Sequence, residues 1–254
     1  MEIELTTFLI VCPLVFLAGF VDSIAGGGGI ISLPAYLLAG IPVHNALATN
    51  KLSSLFGAVA ATLRFWRNNC VDALFILPSV LAALMGSAMG TRLLLLIDER
   101  YLQYILMAVL PITAYYILRK KKSIDIDIQS LSKKQVYSIA AVISFFLGAY
   151  DGFYGPGTGT FLILLYTGLA KMDVRTAAGN SKFVNLASNT ASFVVFMVNG
   201  KVLFTLGLTA ALFSIAGSYI GAGLVIKRGS NIVRPIILVV LALLFVKIIY
   251  EQLQ

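Results

Sequence analysis

The sequence predicts an all-α polytopic membrane protein built from two homologous halves, and three observations carry that prediction. The chain is 59% hydrophobic and only 12% charged, with a mean hydropathy of +0.93. Soluble domains average about 25% charged residues, so too little polar surface exists here to cover a water-facing globule. Apolar runs of about 20 residues, the length that crosses a bilayer core, fill most of the chain. Its few polar landmarks also recur at a nearly fixed offset. In such a chain the net charge of +8 sets membrane orientation and does not point to nucleic acid.

Taken in order, the runs give an interrupted segment at 5–40 and spans near 45–63, 73–96 and 101–118. A polar stretch, "RKKKSIDIDIQSLSKK" (119–134), divides the chain. The pattern then returns as an interrupted segment at 135–170 and spans near 177–198, 202–226 and 235–250. This divides the chain into a first transmembrane repeat at 1–122, a cytoplasmic linker at 123–134 and a second repeat at 135–254. Glu2 and Glu4 stand where a signal peptide carries basic residues, so no cleaved leader is expected.

The repeat reaches individual residues. "GFVDSIAGGGG" (19–29) aligns with "GAYDGFYGPGTG" (148–159), placing Asp22 with Asp151 and Gly26 with Gly155. "NALATNKLSS" (45–54) aligns with "RTAAGNSKFVN" (175–185) through Asn50 and Asn180, each closely followed by a lysine. "MGSAMG" (85–90) aligns with "AGSYIG" (216–221), and the offset stays between 129 and 131 residues. Chance likeness between apolar segments does not hold one offset across three polar landmarks.

Parity of the interrupted segment decides whether the halves are parallel or inverted. If it enters and returns at the glycines, the halves are inverted and both termini lie outside. The cytoplasm then receives 13 basic residues, against four outside (Arg92, Arg100, Lys201 and Lys247). A segment that crosses once gives 10 against seven and strands Lys227, Arg228 and Arg234 outside. Because cytoplasmic loops collect Lys and Arg, an inverted repeat is expected. Each half is then a glycine-broken, re-entrant helix hairpin plus three transmembrane helices. Residues 30–40 are too short to span, covering roughly 16 Å at 1.5 Å per residue.

Paired glycine-interrupted segments point to a transporter's binding site. A helix restarting after a glycine turn presents unbonded amides and about half a positive charge to an anion. The expected restarts lie near Ile30 and Thr160. The expected anion site therefore draws on Gly26, Gly27, Gly28, Gly29, Gly155, Gly157, Thr158 and Gly159, with the Thr160 hydroxyl nearby. The alternative is that the glycines only let helices approach closely. Lys51 and Lys182 lie inside small-residue helices, where an ionisable group is a functional candidate by default. They would supply the anion's countercharge, or else snorkel or pair with Asp22 and Asp151. Asn50, Ser54, Asn180, Asn185 and Asn189 are candidate substrate contacts, or polar glue between helices. Asp22 and Asp151 suit an anion site poorly. They cap helices or accept loop amides, titrate as proton-coupling groups, or hold a cation.

The remaining polar residues suggest little chemistry. Cys12 and Cys70 form no CxxC and are expected to be free thiols. His44 is the single histidine, which excludes a multi-histidine metal cluster. Asp72 and Asp98 fall at span ends and suit helix caps. No catalytic triad, HExxH, Walker or dinucleotide pattern is present, and "GAGLVIKRG" lacks the strand a nucleotide fingerprint needs. Neither enzymatic activity, cofactor nor metal is expected. An anion channel, or a carrier of another small solute or metal ion, stays open beside an anion permease.

The motifs "GFVDSIAGGGG" with "NALATNKL", and "YDGFYGPGTG" with "GNSKFVNLASN", resemble the TauE/SafE sulfite exporter family, closest to its bacterial YfcA-like branch. The resemblance covers nearly the whole chain. It implies a permease of the bacterial cytoplasmic membrane for small anions, often sulfite or organosulfonates, in either direction. A departure lies at the second tip, where Pro156 and Thr158 replace glycines. A small anion and the lipid bilayer are the expected partners, nucleic acid is not, and a homodimer is left open.

Overall fold

A computed structural model describes residues 4–98, 101, 133–170, 172–229, 231–233 and 235–236. Apart from Tyr101, Pro235 and Ile236, the spans expected at 101–118 and 235–250 lie outside these residues. So does the linker up to residue 132. Every regular element among the described residues is an α-helix.

The first half contributes α1 (Leu5–Ala25), α2 (Gly29–Leu38), α3 (Val43–Arg67) and α4 (Ala73–Leu95). The second contributes α5 (Lys133–Phe153), α6 (Thr158–Gly168), α7 (Val174–Val198) and α8 (Phe204–Arg228). Among the described residues, four helices are long and apolar enough to cross a membrane: α1, α4, α5 from Gln135, and α8. With 10 and 11 residues, α2 and α6 reach only about half the thickness of a bilayer core. At 25 residues each, α3 and α7 have the length to span. Their middles, however, carry Asn50, Lys51 and Ser53, and Asn180, Ser181, Lys182 and Asn185, all buried. A helix this polar belongs in the protein interior and not against lipid.

Packing follows from that division. The outer helices pair across the halves, α1 on α8 and α4 on α5. Inside them, α3 lies on α8 and α7 on α4, while α3 and α7 meet at the centre. Each contact thus has a counterpart with the halves exchanged. Small residues allow the outer pairs to approach closely. A Cβ at Gly86 or Gly90 would strike the α5 backbone at Phe145 and Ala149, and one at Gly217 or Gly221 would strike α1 at Phe16 and Phe20. The glycines of "MGSAMG" and "AGSYIG" are therefore packing glycines. The opposite face of α4 exposes Leu74, Leu77, Leu81, Met85 and Met89, an apolar stripe at helical spacing that suits lipid.

Both interrupted segments break where glycine permits it. At the end of α1, Gly26 takes φ 77°, and its amide donates to the Asp22 carbonyl. In the second half, Gly155 takes φ 101° and Gly157 φ 84° just before α6. Side chains rarely adopt such positive φ values. The restarts, at Gly29 and Thr158, fall one or two residues before the expected positions.

Candidate functional site

The two breaks meet. A Cβ on Gly26 would collide with the backbone of Gly159 and Thr160, and Gly29 lies against Pro156. Thr160 Oγ1 donates to the Ala25 carbonyl across the halves at 2.6 Å. Beside this contact lies a cavity of about 50 Å³, by volume roughly the room of a few waters. Lining it are Asp22, Gly26, Gly28, Gly29, Asn50, Lys51, Ser54, Asp151, Gly155, Thr158, Gly159, Asn185 and Asn189, all expected from the sequence.

Four expected residues do not line it. Gly27 and Gly157 shape the tips from outside the lining. Asn180 is occupied elsewhere: its Oδ1 accepts the Asp72 amide at 3.0 Å, and its Nδ2 approaches the Met172 sulfur. It holds the start of α4, where Asp72 caps the Leu74 and Phe75 amides as expected. Lys182 is fully buried and reaches the site only through Asp22.

Among the described residues, two ion pairs cross between the halves. Lys51 Nζ bonds Asp151 Oδ2 at 2.8 Å and the Asp151 carbonyl at 2.6 Å. Lys182 Nζ bonds Asp22 Oδ2 at 2.5 Å. Each lysine comes from the centre of α3 or α7, and each aspartate from the last turns of the opposite half's broken helix. Reciprocal pairing was one reading of the sequence, and the geometry supplies it. Buried charges persist when paired and hydrogen-bonded, and further donors complete both carboxylates. Asp22 Oδ1 accepts the Gly28 amide at 3.2 Å. Asp151 Oδ2 accepts the Ser188 hydroxyl at 2.5 Å.

The arrangement presents donors to the cavity. The Gly29 and Gly159 amides, at the first turns of α2 and α6, take no partner among the described residues. Such amides, with the helix dipole behind them, favour an anion. Asn185 is 6% exposed, and its amide oxygen has no partner among the described residues. A buried amide with an unpartnered oxygen marks a place for a ligand or water, and the amide can turn to offer either end. By contrast, the Thr158 and Thr160 hydroxyls are spent on backbone carbonyls.

The sequence reading missed Ser32, Tyr154, Ser214 and Ser218, which also line the cavity. A signal for three of them was available. Ser214 and Ser218 stand four residues apart on an apolar helix, and Ser32 stands one turn after Gly28, so each extends a helix face toward the tip. Nothing in the sequence singled out Tyr154.

Comparison with known proteins gives a consistent picture. The family profile described as "Sulfite exporter TauE/SafE" matches residues 11–248. A "Probable membrane transporter protein" of Haemophilus influenzae is 35% identical over 253 residues, covering 99% of this chain and 98% of that protein. "Probable membrane transporter protein ORF9" of Sinorhizobium sp is 37% identical, over 98% of this chain and 94% of its own. "Probable membrane transporter protein YfcA" of Escherichia coli K12 is 32% identical, over 93% and 87%. No solved structure matches the chain. A match over nearly its full length shows that the chain belongs to the TauE/SafE sulfite exporter family, a family of membrane transporters and not of enzymes.

Proposed function

We propose that the protein is a permease for small oxyanions, sulfite or a small sulfonate, whose binding site is the cavity between the two glycine tips. One observation carries this reading. Lys51, two helix starts with amides unpartnered among the described residues, and Asn185 with its unpartnered amide oxygen line one cavity of about 50 Å³. That volume suits an ion of a few heavy atoms. The family's description as sulfite exporters agrees with the chemistry.

The reciprocal packing of α1 on α8 and α4 on α5 supports a duplicated chain with facing halves. With the bias of basic residues, it favours an inverted repeat in the bacterial cytoplasmic membrane, both termini outside. The half-length α2 and α6 suit re-entrant hairpins that meet near the bilayer midplane. Alternating access then arises by rocking one set of helices against the other about the tips, with proton movement at an aspartate. A homodimer remains an expectation for the lipid-facing surface. A reporter fused after Gln254 tests the topology, and a cytoplasmic signal would overturn the inverted arrangement.

Uptake of labelled sulfite, sulfate and methanesulfonate into proteoliposomes tests the function. Wild-type protein is expected to give saturable flux of at least one of these anions, and Lys51→Ala to lose it. If none moves while a metal cation does, the anion reading fails.

A further inference from the structure

The two ion pairs are not equivalent, and the difference assigns them different tasks. Lys51 and Asp151 both line the cavity, with side chains 6% and 8% exposed. Lys182 is 0% exposed and away from the lining, whereas its partner Asp22 is 30% exposed. Releasing Lys182 from Asp22 would free a cation that touches no ligand. Releasing Lys51 from Asp151 would free one that faces the void.

The carboxylates differ in what surrounds them. Asp22 receives only donors, the Lys182 ammonium and the Gly28 amide. Neither can accept a hydrogen bond, so a protonated Asp22 would find no acceptor among these partners. Asp151 faces a hydroxyl that can reverse. Ser188 Oγ donates to Asp151 Oδ2 at 2.5 Å, and the Asn185 carbonyl stands 3.1 Å from the same Oγ as an alternative acceptor. If Asp151 takes a proton, its new O–H can donate to Ser188, and Ser188 can turn to Asn185. The Asp151–Ser188 hydrogen bond is then kept with its direction reversed.

Among the described residues, other charges near Asp151 are few. α3 offers Lys51, α7 offers Lys182 and α1 offers Asp22, the last two engaged with each other. α4 carries only Arg92, which is exposed, and α6 carries no charged side chain. Tyr154 stands on the cavity wall beside Asp151.

We propose that Asp151 is the proton carrier and Lys51 the exchangeable countercharge, so that the anion enters only with a proton on Asp151 and the two travel in the same direction. This rests on the anion reading above. Empty, the site holds Lys51⁺ with Asp151⁻. Loaded, it holds Lys51⁺ with the anion, and Asp151 is neutral. Both states have the same net charge for a monoanion, so one proton moves per anion and the cycle is electroneutral. The Asp151 carbonyl keeps Lys51 anchored beside Gly155 throughout. Lys182 with Asp22 acts as a fixed strap on the first tip.

The test uses full-length protein in proteoliposomes with trapped pyranine and labelled sulfite, sulfate or methanesulfonate. A pH gradient of one unit, acid outside, should drive about tenfold accumulation of the transported monoanion, since one proton is coupled to each anion. Proton and anion uptake should match one to one, and a potassium–valinomycin potential should leave the accumulation unchanged. Asp151→Asn should keep counterflow exchange and lose the response to the gradient, whereas Asp72→Asn, at a helix cap outside the cavity lining, should keep that response. Saturable anion flux driven by potential and indifferent to pH overturns the coupling and leaves the permease reading intact. So does gradient-driven accumulation by Asp151→Asn. If no anion moves, both readings fall. The wild-type proton count decides the matter even if a variant does not fold.

Discussion

The two glycine tips share a sequence pattern and differ in what they touch. Gly26 and Gly155 occupy matching repeat positions, and both have positive φ. A Cβ on Gly26 would run into the backbone of Gly159 and Thr160. One on Gly155 would meet the Asp151 carboxylate at 3.1 Å and the Lys51 ammonium at 3.3 Å. The next glycines differ in conformation too, since Gly28 is right-handed at φ −58° while Gly157 has φ 84°. The first tip is thus a structural keel, pressed against rigid backbone. The second is built around an ion pair. Matching sequence patterns thus sit in unequal surroundings, which is what would let one tip hold while the other works.

The largest effect should come from setting those glycines against each other. Gly26→Ala combines left-handed strain of about 1–2 kcal/mol with overpacking of about 1–3 kcal/mol against backbone that cannot yield. Gly155→Ala meets two side-chain atoms that can move and the Asp151 carbonyl at the looser distance of 3.3 Å, so strain should dominate. The first variant is expected to lose folded protein in detergent, and the second to fold but transport poorly. Cys12 and Cys70 are both buried free thiols, so reaction with a thiol-specific dye on heating follows unfolding. Equal loss of stability in both variants would break the comparison.

The ion pairs come next. Removing one partner of a buried pair typically costs about 3–5 kcal/mol, because the other is left charged and alone. Asp22→Asn strands a fully buried ammonium, whereas Lys182→Met strands a carboxylate that is 30% exposed to the cavity. Asp22→Asn should therefore destabilise more. For Lys51 and Asp151, buried almost equally, the two single substitutions should cost alike. Melting temperatures of the four variants check this, and a reversed order at Asp22 and Lys182 would remove the case for a strap.

The fold class was legible because membranes leave so few choices. Long apolar runs that fold as helices follow from the bilayer's need for satisfied backbone. The site was legible in part. The tip glycines, both aspartates, Lys51, Asn185 and Asn189 signal themselves as polar or conformationally special residues in apolar surroundings. Asn180 sends the same signal yet holds a helix start, because the side chains beside it are settled by tertiary packing. Which lysine faces the void was likewise invisible, since both occupy the same place in matching helices. Tyr154 left no trace, as an aromatic beside a glycine turn is ordinary core material.

The smallest expected effect tests whether the central helices inherit the same asymmetry. α3 starts after Pro42, with no side-chain cap. α7 starts after Asp173, whose carboxylate accepts the Arg175 and Thr176 amides at 2.9 and 3.2 Å. Burial pushes this carboxyl up, but the Thr176 and Arg175 hydrogen bonds outweigh it and leave its pKa below the ordinary 3.8. A group depressed in the folded state adds stability above its unfolded pKa, and that stability fades as pH falls through the folded value. Asp173→Ala should therefore cost about 1 kcal/mol near neutral pH, and less as the pH drops below 3.8. Pro42→Ala removes no cap and should show no such acid-dependent difference. Thermal unfolding of both variants at neutral and acid pH makes the comparison. A constant gap at Asp173 would mean that the cap acts through chain geometry alone, and that α3 and α7 start on equal electrostatic terms.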